Sequence, residues 1–335
     1  MNGRWLARRI GMAFVVIYTT ITLTFFLIRL MPGSPIDRMR AELYQRYGAT
    51  MSEAEINRQV RLYLNVKPDE PLHVQYFDYV IKTFQGDLGY SYIQGVEVSV
   101  LLADVLPWTV FLLSVAITFQ YVIGILLGAM MAYTEGSRFD LSASALSTFV
   151  VSVPFYVFAF ILVFFFVFQW GIFPQGGKFA AGLNPGSLAW YRSVLYHATL
   201  PVVSLVATGF GGIALSMRAN SIQTLGSDYI RGARLRGLSD HRISYRYVAR
   251  NAILPLYTGL LIQIGFLFGG SVILEQIFSY RGVGYLMLDS ALRRDYPVMM
   301  GAFLVITIAV VVGVFVADLT YGRLDPRIET GGEGR

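Results

Sequence analysis

The 335-residue chain contains no cysteine, which removes disulfides, thiolate metal sites and cysteine nucleophiles from consideration. Charge is also scarce. Asp, Glu, Lys and Arg make up 14% of the residues, against roughly 25% in an ordinary soluble domain, too few to cover a water-facing surface of this size. The three histidines, His73, His197 and His241, lie far apart. None has a second ligand at helical spacing, which argues against a zinc or haem site. No Gly-x-x-x-x-Gly-Lys-Ser/Thr string occurs, so the chain does not itself cradle ATP in a P-loop. Alternating segments of about ten residues, the mark of a transmembrane barrel, are missing as well.

What the chain has is long stretches without charge. Six of them, at 10–28, 105–134, 141–177, 193–217, 251–274 and 296–317, are 19, 30, 37, 25, 24 and 22 residues long. About 20 apolar residues cross a hydrocarbon core as a helix, so the expected fold is an all-α polytopic membrane protein with six transmembrane helices. The first run follows Arg4, Arg8 and Arg9 and exceeds the 7–15 residues of a signal-peptide core. It is read as an uncleaved span. Those arginines place the N-terminus in the cytoplasm, and six crossings return the C-terminus to the same side. The net charge of +6 is accordingly a topology signal and not a nucleic-acid footprint.

This divides the chain into a first transmembrane helix (1–30), an extracytoplasmic lid (31–104), a five-helix core (105–322) and a cytoplasmic tail (323–335). The lid holds 7 basic and 10 acidic residues, has helix-like patches such as Ser52–Ile56, and ends in a turn-rich Gly86-Asp87-Leu88-Gly89. Within the spans, Gly124/Gly128 and Gly265/Gly269 put two glycines on one helix face. That spacing suits close helix approach, although glycine is common in membrane helices in any case. Pro154 should bend the third span. Gln120 and Gln263 are mid-span polar residues suited to interhelical hydrogen bonds.

The most informative segment is the cytoplasmic loop 218–255. Residues 218–250 carry seven arginines and two acids. A first short helix starts at Ser227 or Asp228, runs through Tyr229, Arg231, Gly232, Ala233 and Arg234, and is stopped by Gly237 before Leu238. A second starts at Ser239 or Asp240, with Arg242, Arg246 and Arg250 on one face; lipid headgroups would also explain that stripe. Asn251–Pro255 is expected to turn the chain into the fifth span. The small Gly232-Ala233 centre would let another protein come close to the backbone, so the first helix reads as a plug for a cytosolic partner.

The string from Asp228 to Asp240, followed by Arg250-Asn251-Ala252-Ile253-Leu254-Pro255, resembles the EAA loop of ABC-importer permeases in the form of the dipeptide, oligopeptide and nickel branch. Here Arg231-Gly232-Ala233 stands where the generic loop has Glu-Ala-Ala. Met31-Pro32-Gly33-Ser34-Pro35, Gly86–Gly89, Ile277–Gly284, Arg294–Val298 and Leu324-Asp325-Pro326-Arg327 are similar to the branch's first, longer-loop permease. The resemblance implies the type I importer permease fold in a prokaryotic plasma (inner) membrane. It further implies a heterodimer with a second homologous permease, two cytosolic ATPases that bind the ATP and Mg, and an extracytoplasmic solute-binding protein. It also implies no cofactor held by this chain and no covalent chemistry done by it, with membrane lipid as its remaining partner. The implied cargo is peptide, with oligosaccharide and nickel as alternatives. A secondary transporter would show intramembrane charges and an inverted repeat, and neither is visible. An intramembrane hydrolase would need a base with an orienting partner, which His197 lacks.

Glu275, Gly282, Gly284 and Asp295 are candidates for an external gate. The segment 275–297 would dip back between the last two spans, where an acid could meet a peptide's amino terminus or an arginine of the partner permease. The plainer reading of Glu275 is an acid at a helix end.

Overall fold

The computed structural model describes residues 3–29, 35–48, 50–64, 70–91, 93–267 and 272–324. Gly269, Met31–Ser34 and the tail beyond Leu324 lie outside them. The first helix, α1 (Gly3–Arg29), leads to three short helices, α2 (Pro35–Tyr47), α3 (Glu53–Leu64) and α4 (Leu72–Phe84), and a hairpin of β1 (Tyr90–Ser91) with β2 (Val96–Glu97). The start of α3 is a reciprocal cap. The Ser52 backbone N–H donates to Glu55 Oε2 at 2.9 Å, and the Glu55 N–H donates back to Ser52 Oγ at 3.3 Å.

This segment docks on the bundle through aromatic rings. Phe25 of α1 lies 5.6 Å from Tyr76 and 5.5 Å from Tyr79 of α4, and Met39, Val60 and Leu304 close the cluster. Such ring pairs contribute about 0.5–1.5 kcal/mol each beyond burial. The Tyr76 hydroxyl also donates to that of Tyr18, and lies 2.8 Å from the Thr22 hydroxyl.

The core follows as α5 (Val98–Tyr133), α6 (Arg138–Ser152), α7 (Phe155–Leu162, continued as a π-helical turn Val163–Gln169) and α8 (Leu188–Leu225). Then come α9 (Asp228–Leu235), α10 (Asp240–Ile243), a π-helical stretch Ser244–Ala249 and α11 (Arg250–Leu267). The chain ends with α12 (Val272–Ile277), α13 (Val283–Arg293) and α14 (Tyr296–Leu324). Among the described residues, four helices are long and apolar enough to cross a membrane, or five if α6 and α7 make one span. Six were expected. The fifth charge-free run is helical as α11 over its described residues, Arg250–Leu267, and residues 268–271 lie outside the description. α5 and α8, 36 and 38 residues long, are longer than the ~30 Å hydrocarbon core requires at about 1.5 Å per residue.

The bend expected at Pro154 is a break. α6 and α7 meet at 91° because Val153, just before the proline, is held extended at φ −89° and ψ 119°. Pro255, expected at a turn, instead lies inside α11. Its ring leaves the Asn251 carbonyl, four residues back, without its helical donor, and the Asn220 side chain of α8 donates to the neighbouring Ala252 carbonyl at 3.1 Å.

α5 and α8 form the tightest seam. A Cβ on Gly124 would stand 2.6 Å from Ile213 Cβ, and one on Gly128 would overlap the Ala214 carbonyl and come 2.7 Å from Met217 Cβ. The Gly124/Gly128 pair is therefore a packing surface. Gln120 ties three helices together, donating to the Leu205 carbonyl at 2.8 Å and accepting from Gln263 Nε2 at 3.2 Å. Two ion pairs mark opposite ends of the bundle, Asp104 with Lys178 and Asp140 with Arg218.

Candidate functional site

The arginine-rich end is built on the long lever of α8. Only Gly226 and Ser227 separate α8 from α9, and Ser227 Oγ donates to the Thr224 carbonyl at 2.6 Å. Ser227 occupies the N-cap position by its extended backbone, while Asp228 places an acid at the positive end of the helix. The other end is a Schellman motif. The Gly237 N–H donates to the Arg234 carbonyl at 2.9 Å, and the Leu238 N–H to the Ala233 carbonyl at 3.3 Å. Gly237 has φ +74°, a conformation glycine adopts without steric cost.

α9 has two distinct faces. Ile230 and Ala233 are buried against Ile243 and Val248, with Leu225, Leu238 and Tyr247 around them. This corrects the reading of Ala233 as a contact for another protein: its small side chain lets α9 sit on the α10–α11 elbow, and a bulky residue there would disrupt that internal packing. Gly232 is different, with no atom within 4 Å of where its Cβ would stand. Around it are the exposed Asp228, Tyr229, Arg231 and Arg234. Leu235, which the sequence reading missed, is 83% exposed at the tip. Its signal was there: it follows Gly232 by three residues and lies off the 230/233 face.

The expected second short helix is not a separate unit. α10 passes through the π-helical stretch into α11 without a turn. Arg242, Arg246 and Arg250 are all exposed along it, while Ile243 and Val248 face α9. The physical reason is that Leu225, Ile230 and Ala233 give this segment an apolar surface to lie on.

At the opposite end three of the gate candidates, Glu275, Gly282 and Gly284, are brought together but turned inward. Glu275 is 1% exposed. Its Oε1 accepts from the Thr109 hydroxyl at 2.8 Å and its Oε2 from the Tyr285 N–H at 2.7 Å, while Thr109 Oγ1 accepts from the Val283 N–H at 2.8 Å. Two side chains from other helices thus cap the start of α13. A Cβ on Gly282 would overlap the Thr109 hydroxyl and stand 2.7 Å from the Glu275 carboxylate, and one on Gly284 would lie 2.9 Å from the Val272 backbone. The two glycines make room for the carboxylate. Both oxygens of the Glu275 carboxylate are thus engaged inside the subunit, at the turn before α13. The segment 272–297 packs as two short helices, with Val283 and Leu286, beside Val298 of α14, against Val98, Leu102 and Val105 of α5.

Asp295 is 2% exposed and accepts from the Ser91 hydroxyl at 2.5 Å, which fastens the β1–β2 hairpin to the start of α14. Burial pushes its carboxyl above the ordinary range, opposed by that hydroxyl. Asp140, one residue before the apolar run 141–177, is paired with Arg218 of α8. His197 donates from Nδ1 to the Ser193 carbonyl at 2.7 Å within its own helix, an ordinary structural bond.

Residues 124–330 match the family described as binding-protein-dependent transport system inner membrane component. The oligopeptide transport system permease protein AppB of Bacillus subtilis is 32% identical over 97% of this chain and 99% of its own length. The chain belongs to this family. The di/tripeptide transport system permease protein DppB of Pseudomonas aeruginosa is 31% identical over 97% of this chain and 98% of its own. The inner membrane ABC transporter permease protein YejB of Escherichia coli O157:H7 is 29% identical over 99% of this chain and 100% of its own. The protein is thus a multi-pass inner-membrane permease subunit, a member of a family of non-catalytic membrane components, and the α9 region lies within the matched residues.

Proposed function

We propose that this permease forms half of the translocation path of an ATP-driven peptide importer, with six spans, both termini in the cytoplasm and α9 as the coupling helix. The observation that carries the reading is the division of α9 into a buried face held by Ile230 and Ala233 and an exposed face bearing Asp228, Tyr229, Arg231, Gly232, Arg234 and Leu235. That is the form of a short helix fastened to its own subunit and offered to another. The seven arginines of 218–250 support placing it in the cytoplasm.

Two ATPase subunits would receive this helix and its counterpart on a second homologous permease. ATP and Mg would be bound there, and an extracytoplasmic binding protein would deliver the cargo. Closure of the ATPases would draw the coupling helices together and rock the spans between inward-open and outward-open states, an equilibrium shifted by differential binding. An apolar groove of about 480 Å³ between α5 and α8, lined among others by Phe111, Phe119, Val202 and Phe210, is the wall offered to the second permease and the path. Arg242, Arg246 and Arg250 serve lipid headgroups or an acidic ATPase surface.

Peptide is favoured over oligosaccharide or nickel by the relatives named for peptide transport. The test is uptake into proteoliposomes of the complete transporter with its binding protein. ATP-dependent uptake of labelled di- or oligopeptide, not displaced by oligosaccharide or Ni²⁺, is expected. Uptake driven by an ion gradient without ATP would refute the mechanism, and ATP-driven uptake of sugar or nickel alone would refute the cargo.

A further inference from the structure

α8 does more than end near the coupling helix. Two turns before its end, Arg218 grips Asp140 at the start of α6 with both arms of its guanidinium, Nε to Oδ1 at 2.5 Å and Nη2 to Oδ2 at 2.7 Å. The Asp140 carboxylate is 1% exposed. It also accepts from the Gly136 N–H at 3.0 Å and the Ser144 hydroxyl at 3.3 Å, and the Asp140 N–H donates to Ser137 Oγ at 3.1 Å. The acid is therefore rigid in its own turn, and α6 runs from it to the 91° break before α7.

The pair is not needed merely to keep α6 beside α8. Farther along the same contact, a Cβ on Gly211 would stand 2.5 Å from the Ser147 carbonyl and 2.8 Å from Val150. The helices are already pressed together there. What a bidentate guanidinium adds is a fixed angle as well as a distance. Resting on the reading of α9 as the coupling helix, we propose that Arg218 and Asp140 are positioning residues forming the strut through which displacement of the coupling helix reaches the α6–α7 elbow. The lever is continuous from α9 through Ser227 and Gly226 to α8, and the strut lies where α8 crosses the base of α6.

Arg218→Lys discriminates, because it keeps the charge while losing the two-armed geometry. In proteoliposomes of the complete transporter, the variant is expected to assemble with its ATPases and hydrolyse ATP within about twofold of wild type. Its transported cargo per ATP should fall tenfold or more. Asp140→Asn should do the same. The chain is free of cysteine, so spin labels at Leu141 and Phe168, 64% and 63% exposed, can report the angle across the break. Their separation should change when ATP is trapped in the wild type and stay constant in Arg218→Lys. An unchanged cargo-to-ATP ratio in that variant, loss of its assembly, or an unaltered distance change would overturn the strut. A wild type without ATP-driven uptake would instead count against the function proposed above.

Discussion

A single added methyl at Gly128 tests whether the α5–α8 seam is as tight as its geometry indicates. In Gly128→Ala the new Cβ would overlap the Ala214 carbonyl oxygen and stand 2.7 Å from Met217 Cβ. Neither obstacle can rotate away, since one is backbone and the other is a Cβ, so two helices of 36 and 38 residues must separate locally. Overpacking of this kind costs about 1–3 kcal/mol, and with rigid obstacles the upper end applies. Alanine recovers about 1 kcal/mol of helix propensity over glycine. The net is a destabilisation of about 2 kcal/mol, or about thirtyfold in the equilibrium. On the scale of about 2–4 °C per kcal/mol for larger domains, the melting temperature should fall by about 4–8 °C. The assay is thermal unfolding of the fluorescently tagged complex in detergent, read by size-exclusion chromatography. Gly11→Ala is the control, because nothing lies within 4 Å of a Cβ at that position in α1; it should leave the melting temperature unchanged or raise it. A Gly128→Ala protein that melts with the wild type would refute the seam.

Leu235→Asp should reduce ATPase co-purification at least tenfold while leaving the melting temperature of the permease unchanged, because the side chain is 83% exposed; a fall in stability without loss of ATPase would show that the tip has only an internal role. The Asp295 carboxyl is raised in the fold by burial, so its contribution to hairpin docking is full below the ordinary carboxylate range and is lost as pH rises through the raised value. Hydrogen exchange at the Gln94 amide, which donates to Ser91 Oγ at 3.0 Å, should therefore speed up with pH beyond its intrinsic rate in the wild type and lose that excess in Asp295→Asn; equal excess in both proteins would refute the assignment.

Composition and charge spacing were enough to read a helical membrane protein, its apolar runs and the arginine-rich loop, because crossing a bilayer demands local properties: length, apolarity and the absence of charge. The bounds of α9 were legible for the same reason, since Asp228 and Gly237 act on the residues beside them. The face of α9 that looks outward was not. Ala233 is buried by Ile243 and Val248, and only folding places those residues across from it. Pro255 shows the same limit from the other side: its sequence signal is a turn, yet it lies within α11. Glu275 was misread more deeply, because its partner Thr109 comes 166 residues earlier, and a carboxylate at a helix end looks alike in sequence whether it faces water or caps a buried turn. Arg218 counted as one more loop arginine until the fold set it on Asp140, 78 residues away. The sequence by itself determined that the chain is a helical membrane protein and where the exposed helix starts and stops. Only the tertiary structure decided which charges are spent inside the subunit and which remain for a partner, since a charge's environment is set by whichever distant helix packs against it.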